Sequence, residues 1–259
     1  MDGAVADRTY PGRGLHGHVV HKLGARIVGG AIAPGSLLPT EDALGPELGV
    51  SRSVLREAVK VLVGKGLLEV RPKTGTRVRP RRSWHLFDPD VVRWQFEQLG
   101  DYHVRELAEI RSTVEPAAAR LAAERRTDGD VAGLEAHYKR MDSAVAEPIA
   151  FRRAELDFHA AVLDSAHNTL LSHMGAIIRV ALTSALEGRA ASIATNSLGT
   201  DHHRTILDAI REQDAAAAEQ AMRVLLDQWW ADFSQPPGRS STGSARNSGE
   251  PDPTAGRAP

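Results

Sequence analysis

Apolar residues recur along this chain with two different periods, and the change of period divides it. Leu15, Val19, Leu23 and Ile27 stand four apart, on one stripe of a helix over 15–28. Leu44 and Leu48 give a shorter face behind Leu38-Pro39-Thr40-Glu41, with Thr40 placed as an N-cap. Pro46 falls inside that helix, where it removes a donor and crowds the preceding turn, so the helix is expected to be bent or short. Gly49 can supply the positive φ of a tight inter-helix turn. Ser51 can cap the next helix, in which Val54, Leu55, Ala58, Val61 and Leu62 share a face while Arg52, Ser53 and Arg56 point elsewhere. Gly64 and Gly66 end it. Residues 67–71 and 76–79 then read as strands around Pro72-Lys73-Thr74-Gly75, a turn sequence.

Beyond Asp90 only the helical period remains. Helices are expected near 89–99, 102–125, 128–146, 149–166, 168–187, 198–212 and 214–232. Asp88 can cap the first, with Pro89 at its first position, and Asp101, Thr127 and Asp214 are N-cap types at later breaks. Trp84, Leu86 and Phe87 are too apolar for a free linker and are expected to pack two domains together. The fold class that follows is mainly α: an N-terminal winged helix-turn-helix of three helices and a small β wing, then an all-α bundle of about seven helices. The expected divisions are a mobile end at 1–13, the winged domain at 14–80, a linker at 81–88, the bundle at 89–233, and a Pro/Gly/Ser-rich disordered tail at 234–259.

Charge sharpens the division. The net charge of −1 over 259 residues hides a first part, 1–82, at +7 and a remainder at −8. A basic first third on an acidic remainder suits a DNA-binding domain joined to a regulatory one. There is no cysteine, hence no disulfide framework or thiolate chemistry. No apolar run is long enough to span a bilayer, and the expected location is cytoplasmic, with no membrane partner.

The first domain's chemistry fits DNA. A recognition helix enters the major groove with its N-terminal residues at base edges, and arginine there can grip guanine O6 and N7. Ser51 and Ser53 at the helix start can hold phosphate. Lys73, Thr76 and Arg77 would reach backbone or minor groove. Two helices alone would fit any small domain with a solvated basic face; the ordered combination of turn glycine, SRSVLRE and wing goes further. On Leu38-Pro39-Thr40-Glu41, Gly49-Val50-Ser51-Arg52, Leu55-Arg56-Glu57-Ala58, Leu62, Gly66-Leu67 and Gly75-Thr76, the stretch resembles the winged helix-turn-helix of the GntR family of bacterial transcription regulators. That resemblance implies DNA contacts at Ser51, Arg52, Ser53 and Arg56, and at Lys73, Thr74, Gly75 and Thr76 in the wing. The chain departs from the family at Asp42, where an arginine is common.

The bundle resembles the FCD ligand-binding domain of the family's FadR branch. The matching segments run from Arg105-Glu106-Leu107 through Arg111 and Val114-Glu115-Pro116, from Phe158-His159-Ala160 to Asn168, and from His203-Arg204 to Ala221-Met222-Arg223. The linker run WHLFDPDVVRW resembles the sugar-acid branch. Glu155 and His159, four apart, share one helix face and can form half of a metal site, to which His203 could add. The family's divalent-metal positions fall on Glu155, His159, His203 and Leu225, and leucine offers no ligand. Three arrangements are therefore open: a metal such as zinc held by Glu155, His159 and His203 with water or effector oxygens; a substitute histidine, His202 or His173; or no metal, with the same groups bonding an effector. Arg111 and Arg179 are candidates to grip an effector carboxylate with two hydrogen bonds. The plain alternative for Arg111 is a pair with Glu115. Asn168 reads as a cap or turn, and the resemblance sets it near the cavity. Trp229-Trp230 is expected to pack on the linker or a dimer partner.

These readings converge on a homodimeric, DNA-binding regulator that is not an enzyme. It is expected to be a repressor on a two-fold operator, released by a small carboxylate such as the sugar acid galactonate, or by another organic acid (lactate, gluconate-like or fatty-acid-derived). A metal-dependent bundle enzyme is the rival, but the chain has one Glu-x-x-x-His and no paired Glu-x-x-His repeats. A nucleoid protein without an effector is the other.

Overall fold

A computed structural model describes residues 14–187 and 200–234. The expected mobile end, the break at 188–197, the helix start at 198 and all but the first residue of the expected tail lie outside the described residues. Within them the chain is helical apart from one small sheet. Its elements are α1 (Leu15–Val28), α2 (Glu41–Leu48), α3 (Arg52–Gly64), β1 (Leu68–Arg71), β2 (Gly75–Val78), a 3-10 turn (Arg81–Ser83), α4 (Pro89–Leu99), α5 (Asp101–Arg125), α6 (Asp128–Ser143), α7 (Pro148–Ser165), α8 (Thr169–Glu187), α9 (Asp201–Arg211) and α10 (Ala215–Ser234). No helix among the described residues is long and apolar enough to cross a membrane.

The first unit is built as its pattern requires. Val19, Leu23 and Ile27 of α1 are fully buried against Leu44 of α2 and Leu55, Ala58 and Leu62 of α3. Leu15, at the head of the same stripe, is 56% exposed. Ser51 caps α3, its hydroxyl accepting from the Val54 N–H at 3.5 Å. Gly49 ends α2 in the left-handed region at φ 67°, a conformation that costs an L side chain about 1–2 kcal/mol. With Pro46 inside it, α2 is short, eight residues. Thr40 takes the N-cap position, but its side chain makes no cap hydrogen bond, correcting that expectation. The antiparallel strands pair Leu68 with Val78 and Arg71 with Gly75; the first begins one residue later than the sequence reading and the second lies one residue earlier. Pro72 and Lys73 are the central turn residues; Lys73 is left-handed at φ 66° and Thr74 N–H closes on the Arg71 carbonyl at 3.3 Å.

Helix α4 belongs to two cores. Its Val91 and Trp94 complete the cluster of α1, α3 and the wing, while its Val92 joins the cluster of α5 and α8. The Trp94 ring lies where a Cβ on Gly24 would come within 2.4 Å, so α1 and α4 meet this closely only because residue 24 is glycine. The Trp94 indole N–H donates to His21 Nδ1 at 2.9 Å. Asp88 caps α4 as expected, accepting from the Asp90 and Val91 N–H groups. Lys65, at the end of α3, reaches both Asp88 (2.8 Å) and Asp90 (2.7 Å). Burial pushes the Lys65 ammonium down, but its bonds to the two aspartates outweigh this and hold its pKa above the ordinary lysine value. Of the three large apolar linker residues only Trp84 packs inward, into the first core, its indole N–H on the Arg79 carbonyl at 2.9 Å; Leu86 and Phe87 are exposed, which corrects the expectation for those two.

The remaining helices form the bundle. The α5–α6 junction has a capping box, Thr127 and Asp130 bonding each other's backbone N–H. Asp214 caps α10 through the Ala217 N–H at 2.9 Å. The bundle's main core joins Ala119 and Ala122 of α5, Phe158 and Val162 of α7, Ile206, Leu207 and Ile210 of α9, and Met222 and Leu225 of α10.

Candidate functional site

Two surfaces carry the chemistry. On the first, Ser51, Arg52, Ser53 and Arg56 project from the exposed N-terminal half of α3. Ser51 and Ser53 share a hydroxyl hydrogen bond of 2.9 Å. Arg52 Nη2 lies 2.6 Å from Asp42 Oδ1, and Arg56 Nε donates to both Glu41 oxygens at 2.9 and 3.0 Å. Both acids stand in the first turn of α2, where negative charge complements the helix dipole. Lys73, Thr74 and Gly75 are exposed at the wing tip and Thr76 is half-buried beside them. Arg77 instead turns back onto the Gly35 carbonyl.

The second surface is internal. Glu155 and His159 lie one turn apart on α7, and His203 enters from α9; their ligand atoms all lie within 4.8 Å of one another. His203 is fully buried, its ring edge-on to His159 and to Phe158 at centroid distances of 5.5 and 5.4 Å. Behind His159 stands a network that the sequence showed only in part. Arg111 Nε donates to Glu115 Oε1 at 2.6 Å, as the i,i+4 spacing allowed. Glu115 Oε2 lies 2.6 Å from His159 Nδ1, 44 residues away in the chain. Burial works against the Glu115 charge, but Arg111 and His159 prevail and hold its pKa down at about 2. An ionised Glu115 is an acceptor only, so His159 Nδ1 carries the proton toward it and Nε2 stays available to a ligand.

The other predicted residues are more dispersed. Arg111 is buried in this network, with the Trp229 ring 4.8 Å from its guanidinium, so Trp229 covers an arginine rather than the linker. Arg179 is half-exposed, 3.7 Å from Asp157. Asn168 caps α8, accepting from the Leu170 N–H at 3.0 Å. His173 is exposed and bonded to the Thr169 carbonyl, and neither it nor His202 joins the Glu155 cluster. Leu225 is a core residue, 1% exposed. Glu115 and Trp229 are the functional candidates that sequence reasoning undervalued. The only signal was the Arg111–Glu115 spacing, since the partner histidine is on another helix.

Comparison with known proteins finds two family models along the chain. Residues 15–78 match the family described as bacterial regulatory proteins, gntR family, and residues 106–228 match the FCD domain. The galactonate operon transcriptional repressor of Escherichia coli is 37% identical over 212 residues, covering 80% of this chain and 92% of that protein. The chain belongs to the GntR family of bacterial transcription regulators. Another relative in that family, the transcriptional regulator Mce2R of Mycobacterium tuberculosis, is 31% identical over 83% of this chain and 90% of its own length. The solved structure of Lar, which controls the agr system of Listeria monocytogenes, shares the fold at a TM-score of 0.60 and 18% identity, covering 85% of this chain and 96% of that one. These GntR-family relatives are regulators, not enzymes, and the winged domain is of a kind that binds operator DNA.

Proposed function

We propose that this regulator is a dimeric repressor of sugar-acid catabolic genes, released when a small carboxylate of the galactonate type enters the bundle. The observation that carries this reading is the meeting of half-buried Glu155 with the buried His159 and His203 beside the Arg111–Glu115 pair. Likeness to the galactonate operon repressor names the acid to try first. Residues 14–80 would be the DNA-binding unit, 81–88 the linker and 89–233 the effector and dimerisation unit. Two α3 helices on a two-fold axis would read a symmetric operator, Arg52 and Arg56 at base edges, Ser51, Ser53 and Lys73 to Thr76 at the backbone.

A divalent cation such as zinc fits the cluster. One carboxylate and two imidazoles are a zinc-type donor set, and His159 is oriented by a carboxylate in the manner of metal-bound histidines. Leu225 leaves three protein donors at most, so the cation would offer its remaining positions to effector oxygens. When bound it would supply positive charge to an acid's oxygens. Arg179 and Asn168, nearer the surface, and Arg111, through the network, complete the effector assignment. The effector weakens DNA binding only by favouring the arrangement that DNA does not, with coupling of about 1–3 kcal/mol between the two sites.

The test is an anisotropy titration of the full chain against DNA from upstream of its own gene, at fixed salt, with and without D-galactonate. Specific binding weakened by the acid supports the proposal. Specific binding indifferent to it discards galactonate and turns the search to lactate and other organic acids, and sequence-indifferent binding removes the operator reading. Inductively coupled plasma mass spectrometry on protein dialysed against zinc should find one ion per chain, and none in the His159→Ala variant.

A further inference from the structure

Asp42, in the first turn of α2, has as its neighbour Arg52, the first residue of the recognition helix. The two make a 2.6 Å ion pair with side chains 69% and 70% exposed. A pair so open to solvent contributes little stability, so stability does not explain it. Position suggests more. A cation at a helix N-terminus is opposed by the dipole, and a long arginine side chain there has many rotamers. A guanidinium has five N–H donors in a planar fork. An acid gripping one edge fixes the plane and leaves the other edge for a base. A guanine is read by two such donors, to O6 and N7. One turn along α3, Arg56 is also held by an acid of α2, Glu41, here through Nε rather than the terminal Nη2.

We propose that Asp42 is a specificity-determining residue. It holds Arg52 in the orientation that reads a guanine, and its charge weakens binding to DNA in general. The proposal rests on the assignment of Arg52 to a base edge made above. Asp42 acts through Arg52, so it is a positioning residue.

The experiment begins with selection of preferred duplexes from a randomised library by the full-length protein. Wild type, Asp42→Ala, Arg52→Ala and the double variant are then titrated against the selected duplex and its single-base variants, over a range of salt. Arg52→Ala should lose about tenfold discrimination at one symmetric G·C pair, the scale of a bidentate contact. Asp42→Ala should lose most of the same discrimination at the same pair. Its affinity for non-cognate DNA should rise, with a salt slope steeper by up to about one unit. The double variant should lose no more than Arg52→Ala alone. Full base preference in Asp42→Ala, or losses that add in the double variant, would overturn the role of Asp42 and leave that of Arg52 standing. Unchanged preference in Arg52→Ala would overturn both. An Asp42→Ala protein that melts several degrees lower while retaining its base preference would make the pair structural, and the proposal would fall.

Discussion

Replacing Glu115 by glutamine keeps the side chain's volume and removes a fully buried charge held between Arg111 and His159. Two routes give the size of the effect. Removing one partner of a buried ion pair strands the other and costs about 3–5 kcal/mol. Independently, the Glu115 carboxyl is held at about 2 against an ordinary 4.5; at about 1.4 kcal/mol per unit this is about 3 kcal/mol of stability. Because the folded pKa is depressed, that contribution is complete above pH 4.5 and is lost as the pH falls toward 2. Urea denaturation followed by tryptophan fluorescence reads it, since Trp229 covers Arg111. Glu115→Gln should be less stable than wild type by about 3 kcal/mol at pH 7, and the gap should close as the pH falls below 4.5. The double change Arg111→Met with Glu115→Leu should recover most of the loss, because apolar side chains of similar size often replace a buried pair without penalty. A gap under about 1 kcal/mol at pH 7, or one that ignores pH, would refute the reasoning.

Three other changes probe other parts of the molecule. Lys65→Met leaves Asp88 and Asp90 facing each other without their shared cation and should cost about 3 kcal/mol; thermal melts should show partial rescue when both aspartates become asparagine. The Lys65 contribution, from a raised pKa, is present below pH 10.5 and is lost as the pH rises through the higher folded value. Gly24→Ala drives a methyl into the Trp94 ring and should cost about 1–3 kcal/mol, with faster hydrogen exchange in α1 and α4 as the sign that their contact has opened. Leu225→His would add a third imidazole, and a fourth ligand, to the cluster; a competitive chelator titration should find tighter zinc binding, against a loss of about 1–3 kcal/mol from placing a polar ring in the core.

Local information carried most of the fold. The stripe of α1, the Gly49 turn, the Ser51, Asp88, Thr127 and Asp214 caps and the spacing of Glu155 and His159 all concern residues within a turn or two of each other. Failures came where an answer depended on distant chain. Leu86 and Phe87 are as apolar as Trp84, but only Trp84 joins the first core, where the Arg79 carbonyl accepts its indole N–H. Thr40 has an N-cap's chemistry and backbone, and only the position of its hydroxyl decides the bond. The Glu115–His159 and Lys65–Asp88 contacts join residues 44 and 23 apart, beyond any helical period. Asp42 could be read as a departure from a pattern, but its contact with Arg52 required the two motif helices to be packed together.

The double membership of α4 bears on how such regulators could be recombined. A natural place to join the DNA-reading half of one to the sensing half of another is the linker after the wing. Here that cut would leave Val91 and Trp94, two residues of the first core, on the wrong side of the junction. A chimera joined at 81–88 would expose the groove around Gly24 unless the incoming helix carried an aromatic side chain of matching shape. Joined instead after Leu99, it would keep that core whole and ask the new bundle to accept Val92 and Phe96. The workable module is therefore longer than the motif that names it, and it ends where α4 ends.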